Sequence, residues 1–262
     1  MLIWFHAADF RRRPCTGYLW IEGAGAASPT LVFLHEGLGS IRQWRDFPQQ
    51  VAREAGCRAL VYDRYGYGNS DVLREARVGV EFMHDGALNE LPELLENLNI
   101  DNPILVGHSD GASIALIYAG TYQVRGVVAL APHVFVEDVC VNSIQEAAKQ
   151  FETGDLPKRL GKYHRNARKT FHLWADAWLD PAFRQWNIEE YLPRIRCPLL
   201  AIQGEDDEYG SMAQLDAIAR QAGGPCELLK LPDCGHSPHK DQPEQVLHSV
   251  SGFIKKIIGT NP

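Results

Sequence analysis

The chain has 262 residues, of which 45% are hydrophobic and 23% charged. That composition fits one sizeable folded domain carrying an insertion and excludes a disordered chain. A net charge of −7 argues against nucleic acid or an anionic membrane as partner.

The elements follow in chain order. Met1 to His6 has no basic region ahead of its apolar part, so it reads as a first strand rather than a leader. The isolated Arg11-Arg12-Arg13 run reads as a solvated turn. Tyr18 to Glu22 and Leu31 to Leu34 are predicted strands. Asp46 to Ala55 is a predicted helix, closed by Gly56 as a left-handed cap, and Ala59 to Tyr62 is a strand. Glu81 to Leu98 is helical but has to kink or restart at Pro92. Pro103 to Val106 is a buried strand, Ala112 to Ala119 a buried helix, and Val124 to Leu130 a strand.

Between His133 and Arg196 the alternation stops. This stretch is helical in character and rich in aromatics, among them Phe151, Phe171, Trp174, Trp178, Phe183 and Trp186. Pro198 to Gln203 and Glu227 to Leu231 resume the strands. A last helix, Glu244 to Ile258, sets Val246, Val250, Phe253, Ile254 and Ile257 on one face, with Gly259 after its end. Strands alternating with helices predict an α/β class and a mostly parallel, doubly wound sheet. The division that follows is a core of residues 1–133 and 197–262 and a helical insertion of residues 134–196. No apolar run approaches the roughly 20 residues that span a membrane. The six cysteines are scattered without CxxC spacing and fit reduced thiols of a cytoplasmic protein.

One stretch carries chemistry. Gly107-His108-Ser109-Asp110-Gly111 lies between a predicted strand and a predicted helix. A serine at such a turn, flanked by glycines that let the chains approach, has the form of a nucleophile elbow. The turn lifts the hydroxyl out of the sheet and aims a helix N-terminus at it. A carboxylate and a histidine each follow a late strand, in Gly204-Glu205-Asp206-Asp207-Glu208 and in Gly235-His236. Both fall at the carboxyl edge of the sheet, where open α/β sheets bind ligands. Ser109 is thus the expected nucleophile and His236 the expected proton carrier.

With His35-Glu36-Gly37-Leu38-Gly39-Ser40 and Asp63-Arg64-Tyr65-Gly66-Tyr67-Gly68-Asn69-Ser70, these segments resemble the α/β-hydrolase fold superfamily along nearly the whole chain. The resemblance implies a capped serine hydrolase, with residues 134–196 as the helical cap. It places the triad acid at Asp207, with Asp206 and Glu205 as neighbouring alternatives. It places the oxyanion hole at the amides of Asp110 and Gly37, with Leu38 as the alternative to Gly37. Glu36 stands where glycine is usual in that loop. Glu36, Leu38, Trp174 and Trp178 are expected to line the substrate site, and the Glu36 and Asp110 carboxylates to turn toward backbone and a cation such as Arg42, Arg45 or Arg64, or to share a proton; the sharper reading is that they reject anionic acyl groups. The family often has an arginine one position later than Arg64, so no role is carried over to Arg64. An Asp63–Arg64 ion pair is the expectation there. His35 and His108 are expected to bond loop backbone. His236 and His239 are three apart but have Pro238 between them, so no metal and no cofactor are expected. The implied activity is cleavage of a small, neutral carboxylic ester, aromatic ones included, through an acyl-enzyme. Thioester, amide or carbon–carbon bond hydrolysis on the same triad is the alternative, and a non-catalytic binding protein the more distant one. The implied partner is a small-molecule ester.

Overall fold

The computed structural model describes residues 3–7, 16–23, 28–74 and 78–259. The Arg11 to Arg13 run and Cys15 lie outside them. Among the described residues eight strands form one sheet: β1 (Ile3–Ala7), β2 (Thr16–Ile21), β3 (Thr30–Leu34), β4 (Arg58–Tyr62), β5 (Ile104–His108), β6 (Gly126–Leu130), β7 (Leu199–Gly204) and β8 (Cys226–Leu231). Their order is β1-β2-β4-β3-β5-β6-β7-β8. The pairs β1–β2 and β2–β4 are antiparallel, and every pair from β4 to β8 is parallel. The expected mostly parallel α/β sheet is what forms.

The side-chain period of two divides the core. In β3, β5 and β6, Leu31, Phe33, Ile104, Val106, Val128 and Leu130 face one layer, packed by helices α1 (Phe47–Ala55) and, at the far end of the chain, Pro243–Gly259. Val32, Leu34, Leu105, Val127 and Ala129 face the other layer. Helices on both faces explain why these strands are apolar throughout instead of alternating. α1 ends as expected, with Gly56 at φ 68.

The predicted break near Pro92 takes a particular form. α2 (Phe82–Asp85) runs through a π-helical turn, Gly86–Glu90, into α3 (Leu91–Asn97). Proline has no N–H and its ring clashes with the carbonyl one turn back, and the wider turn accommodates both. The next helix, α4 (Asp110–Ala119), is buried at every residue, which is why its sequence shows no polar stripe.

Between β6 and β7 lie α5 (Asp138–Thr153), α6 (Leu156–Leu160) and α7 (Ala167–Leu179), then two 3-10 turns, Pro181–Gln185 and Glu189–Arg194. The side chain of Asn166 caps α7 by accepting from the Lys169 N–H at 3.0 Å. Many of the aromatics pack on one another: Phe151 stacks on Phe171 with centroids 3.9 Å apart, and Phe183 on Trp186 at 5.4 Å. Polar ties join this insertion to the loop after β4. His164 Nδ1 accepts from Gly68 N–H at 2.9 Å, Arg165 N–H donates to Gly68 O at 3.0 Å, and Thr170 Oγ1 donates to Gly66 O at 2.8 Å.

Helix α8 (Ala213–Gln221) was not expected. Only Leu215 and Ile218 are large apolar residues in it, so its periodic signal is weak. α9 (Pro238–Asp241) and α10 (Pro243–Gly259) complete the chain, and α10 takes in Gly259 as its last residue. Among the described residues no helix is long and apolar enough to cross a membrane. The described cysteines, Cys57, Cys140, Cys197, Cys226 and Cys234, are free thiols.

Candidate active site

Six loops leave the carboxyl ends of β3 to β8 along one edge. The strand order reverses at β3, which lies between β4 and β5. Such a reversal opens the crevice in which α/β sheets hold ligands. His35 and Glu36 follow β3, Arg64 follows β4, Ser109 follows β5, His133 follows β6, Asp207 follows β7 and His236 follows β8.

Ser109 sits between β5 and α4 at φ 53, ψ −120. A non-glycine residue there costs on the order of 1–3 kcal/mol, held in place by its surroundings. Those surroundings leave no room for larger neighbours: a Cβ on Gly111 would come 2.1 Å from Leu34 O, so glycine alone lets the elbow lie against the end of β3.

Ser109 Oγ is 2.8 Å from His236 Nε2, and His236 Nδ1 is 2.8 Å from Asp207 Oδ1. With Nδ1–H donating to the carboxylate, Nε2 is free to accept the serine proton. Asp207 Oδ1 also accepts from Tyr209 N–H at 2.8 Å. Burial pushes the Asp207 carboxyl up, but the bonds and charge of His236 and the Tyr209 amide outweigh it and hold the group below its usual value. Of the acids in this turn, Asp207 faces His236 while Glu205 and Asp206 are exposed. Glu208 supports the histidine from behind, its Oε2 accepting from His236 N–H at 3.2 Å.

The two residues expected to furnish the oxyanion hole meet the two tryptophans of α7. A Cβ on Gly37 would lie 2.1 Å from Trp174 Nε1, so the indole passes directly over this glycine. Trp178 Nε1 donates to Asp110 Oδ1 at 3.2 Å. Both tryptophans are buried. Neither the Gly37 amide nor the Asp110 amide donates to another described residue. Leu38 lies in the same loop, its carbonyl 3.0 Å from His164 Nε2.

The two carboxylates flanking this region each have a cation. Asp110 Oδ2 is 3.7 Å from Arg64 Nη2, and Glu36 Oε1 is 3.2 Å from Lys240 Nζ. Glu36 Oε2 is 3.5 Å from His108 Nδ1. Burial raises Glu36, yet Lys240 and His108 together hold it well below its usual value. Burial raises Asp110 even with Arg64 beside it. Of the arginines expected to pair here, only Arg64 does so. Lys240, on α9, is the partner for Glu36, and Arg42 instead donates to Lys162 O at 2.6 Å. An Asp63–Arg64 pair does not form either. The Asp63 carboxylate accepts from the N–H groups of Ile41 at 2.7 Å and Asn69 at 2.8 Å. Burial raises it to about 6.

His35 and His108 do bond backbone carbonyls, Glu36 O and His236 O, each at 2.7 Å. His239, three residues after His236, sits on α9. It is buried against Trp44 and Phe47, and among the described residues no group of three or more His, Cys, Asp or Glu side chains could hold a metal ion. Besides Lys240 and Glu208, two more residues at the site escaped sequence reasoning. His133 lies buried 5.7 Å from the His236 ring and 5.2 Å from that of Trp178, with burial pulling it down to about 3, so it is neutral. Its position just past β6 was the available signal. His164, in the turn ahead of α7, bonds the loops after β3 and β4, for which the sequence holds no local signal.

The profile of the alpha/beta hydrolase family matches residues 31–249. The chain is 34% identical over 274 residues to a proline iminopeptidase of Saccharolobus solfataricus, covering 88% of this chain and 86% of that one. It is 25% identical over 250 residues to 3-oxoadipate enol-lactonase 1 of Acinetobacter baylyi, covering 88% and 90%. The match to a proline iminopeptidase of Lactobacillus delbrueckii spans only 43% of this chain and 38% of that protein. Among solved structures, haloalkane dehalogenase DbeA of Bradyrhizobium elkani superposes with a TM-score of 0.78 at 19% identity, covering 100% of both chains, a likeness of fold.

Proposed function

The chain belongs to the alpha/beta hydrolase family, and on that premise we propose that it is a serine hydrolase cleaving a small, neutral carboxylic ester through an acyl-enzyme. One observation carries this reading: Ser109, His236 and Asp207 are linked by two 2.8 Å contacts on a strained turn at the sheet's switch point.

In the proposed reaction Ser109 Oγ attacks the ester carbonyl and its proton passes to His236 Nε2. Asp207 fixes the ring tautomer and stabilises the imidazolium. The carbonyl oxygen becomes an oxyanion, met by the amides of Gly37 and Asp110 and by the N-terminal end of α4. Collapse expels the alcohol, which takes the proton from His236. Water then attacks the acyl carbon, losing its proton to Nε2, and the acid leaves as Ser109 regains its proton. The helical insertion of residues 134–196 acts as a cap, with Trp174 and Trp178 as the apolar wall facing the acyl group and Leu38 beside them. Glu36 serves this site as a brace paired to Lys240. Its remaining expected role is to disfavour anionic acyl groups.

An enol-lactone is itself an ester, so the Acinetobacter relative's named activity supports the bond class, while a lactone of 3-oxoadipate keeps one free carboxylate and lends nothing to the choice of a neutral ester. The proline iminopeptidases name an amide substrate. Cleavage next to a terminal ammonium calls for a carboxylate free to receive it; Glu36 and Asp110 already have cations, which leaves exposed Glu208 beside His236 as the acid that a prolyl substrate would have to use. The test is a panel of p-nitrophenyl esters, a lactone, an acyl-CoA thioester and a prolyl anilide, with fluorophosphonate labelling. Ester turnover with label on Ser109 is expected. Turnover of the anilide or thioester alone would move the assignment to that bond class, and absence of label on Ser109 would remove it.

A further inference from the structure

The peptide between Glu36 and Gly37 is held from one side. Its carbonyl lies 2.7 Å from His35 Nδ1, 3.0 Å from Gly39 N and 3.0 Å from Arg64 Nη2. A trans peptide sets its N–H opposite its C=O. Fixing the Glu36 carbonyl with three donors therefore fixes the direction of the Gly37 N–H, and polarises the amide so that it donates more strongly.

Two of those donors depend on one residue. Arg64 N–H donates to His35 Nε2 at 3.0 Å. A neutral ring accepting at Nε2 must carry its proton on Nδ1, the nitrogen that faces Glu36 O. Burial and the Arg64 charge keep His35 neutral. The Arg64 guanidinium reaches the same carbonyl directly, and its Nη2 is also 3.7 Å from Asp110 Oδ2. It rests over the Tyr67 ring with its carbon 4.4 Å from the centroid, and the residue is 4% exposed. One buried cation thus spans the two segments whose amides are the proposed oxyanion donors. It also offsets the Asp110 carboxylate, which would otherwise oppose the negative charge formed beside it.

We propose that Arg64 and His35 are positioning residues that hold the two halves of the oxyanion hole in register. This rests on the serine-hydrolase reading above. Lysine cannot replace the arginine here, because a point charge on a flexible stem cannot reach the carbonyl and the carboxylate together.

The experiment compares purified wild type with Arg64→Lys, His35→Gln and His35→Asn. It uses a p-nitrophenyl ester, a trifluoromethyl ketone that forms a tetrahedral oxyanion with serine, and the matching unreactive methyl ketone. Loss of a whole oxyanion donor costs about 10²–10³ in kcat, so a misdirected donor should cost roughly 10- to 100-fold. Arg64→Lys and His35→Gln are expected to lose kcat by that factor with KM unchanged within about twofold, and to lose trifluoromethyl ketone affinity in parallel. Methyl ketone affinity should hold. His35→Asn keeps a donor where Nδ1 stands and should recover most of the loss. If Arg64→Lys does not fold, the two His35 variants decide. Full kcat in His35→Gln, or equal loss of both ketones, overturns the proposal. When wild type is active and labelled at Ser109, such a result counts against the positioning role alone and leaves the serine-hydrolase assignment standing. A wild type that neither turns over ester nor takes the label sinks both.

Discussion

Around Ser109 the chain is fixed by directional polar contacts, whereas residues 138–194 are fixed largely by ring packing. At the sheet edge, Glu36 O, His35, Arg64, Asp207 and His236 are held by hydrogen bonds between 2.7 and 3.0 Å. In the insertion, Phe151 on Phe171 and Phe183 on Trp186 supply cohesion without setting a single orientation for any polar atom. Hydrogen bonds weaken steeply with angle, while apolar contact depends mainly on area. A reacting centre needs the first kind of constraint, and a wall around a substrate needs only the second. Polar ties from His164, Arg165 and Thr170 join the two regions, and at the proposed oxyanion donors they meet through Trp174 over Gly37 and Trp178 on Asp110.

The strongest test of that contrast is at the elbow. Ser109→Ala is expected to lower kcat by at least about 10³–10⁴ while leaving circular dichroism and the substrate affinity of the site intact. Ser109→Gly should be equally inactive but more stable by on the order of 1 kcal/mol, because glycine relieves the positive-φ strain. Thermal melts of both variants check this. An Ala variant that turns over normally would remove the polar centre from the mechanism.

Next is the acid. Asp207→Asn should reduce kcat by up to about 10⁴, through the wrong histidine tautomer. Asp206→Asn, at an exposed position, should change it little. Steady-state kinetics on one ester suffices, and reversed effects would shift the triad acid by one residue.

The meeting point of the two regions gives a smaller effect. Gly37→Ala forces a methyl into the Trp174 indole, and is expected to lower kcat roughly 10-fold or more through the displaced amide. Adding Trp174→Ala removes the obstacle and should restore part of the rate. Alone, Trp174→Ala or Trp178→Ala should cost about 1–3 kcal/mol on bulky aryl esters and less on acetates. If the double variant is no better than Gly37→Ala, the two regions do not interact at this contact.

The smallest expected effect is at Glu36. Its carboxyl is held well below its usual value, burial being outweighed by Lys240 and His108. A carboxyl depressed in the folded state stabilises above its unfolded value, about 4.3, and that contribution fades as pH falls below it. Wild type should therefore lose more stability than Glu36→Gln in urea melts taken from about pH 5 to 2. Equal pH slopes would mean the Lys240 contact contributes nothing. A selective gain by Glu36→Gln on an anionic ester over its neutral match would instead support a role in excluding charge.

How much was legible differs by residue. The strands, the buried helix α4 and the Gly56 cap follow from local apolar runs and glycine placement, the loop order placed Ser109, His236 and an acidic turn at one edge, and the family resemblance chose Asp207 within that turn. Arg64 was not legible as a brace, because its partners His35 and Asp110 lie 29 and 46 residues away. Lys240 and Glu36 are 204 residues apart, which is why nearby arginines were the expected cations instead. His164 joins the Leu38 carbonyl across 126 residues. Helix α8 was missed for a local reason, too few large apolar residues to mark its face.

By itself, then, the sequence determined the class of fold, the elbow and the loops that bear its partners, since those depend on periodicity and on turns that only glycine permits. Which cation meets which carboxylate, and which tryptophan meets Gly37 and which Asp110, were decided by tertiary structure alone. Such pairings depend on distances of a few ångströms between residues far apart in the chain, and a hydrogen bond has no signature in the sequence until folding brings its two ends together.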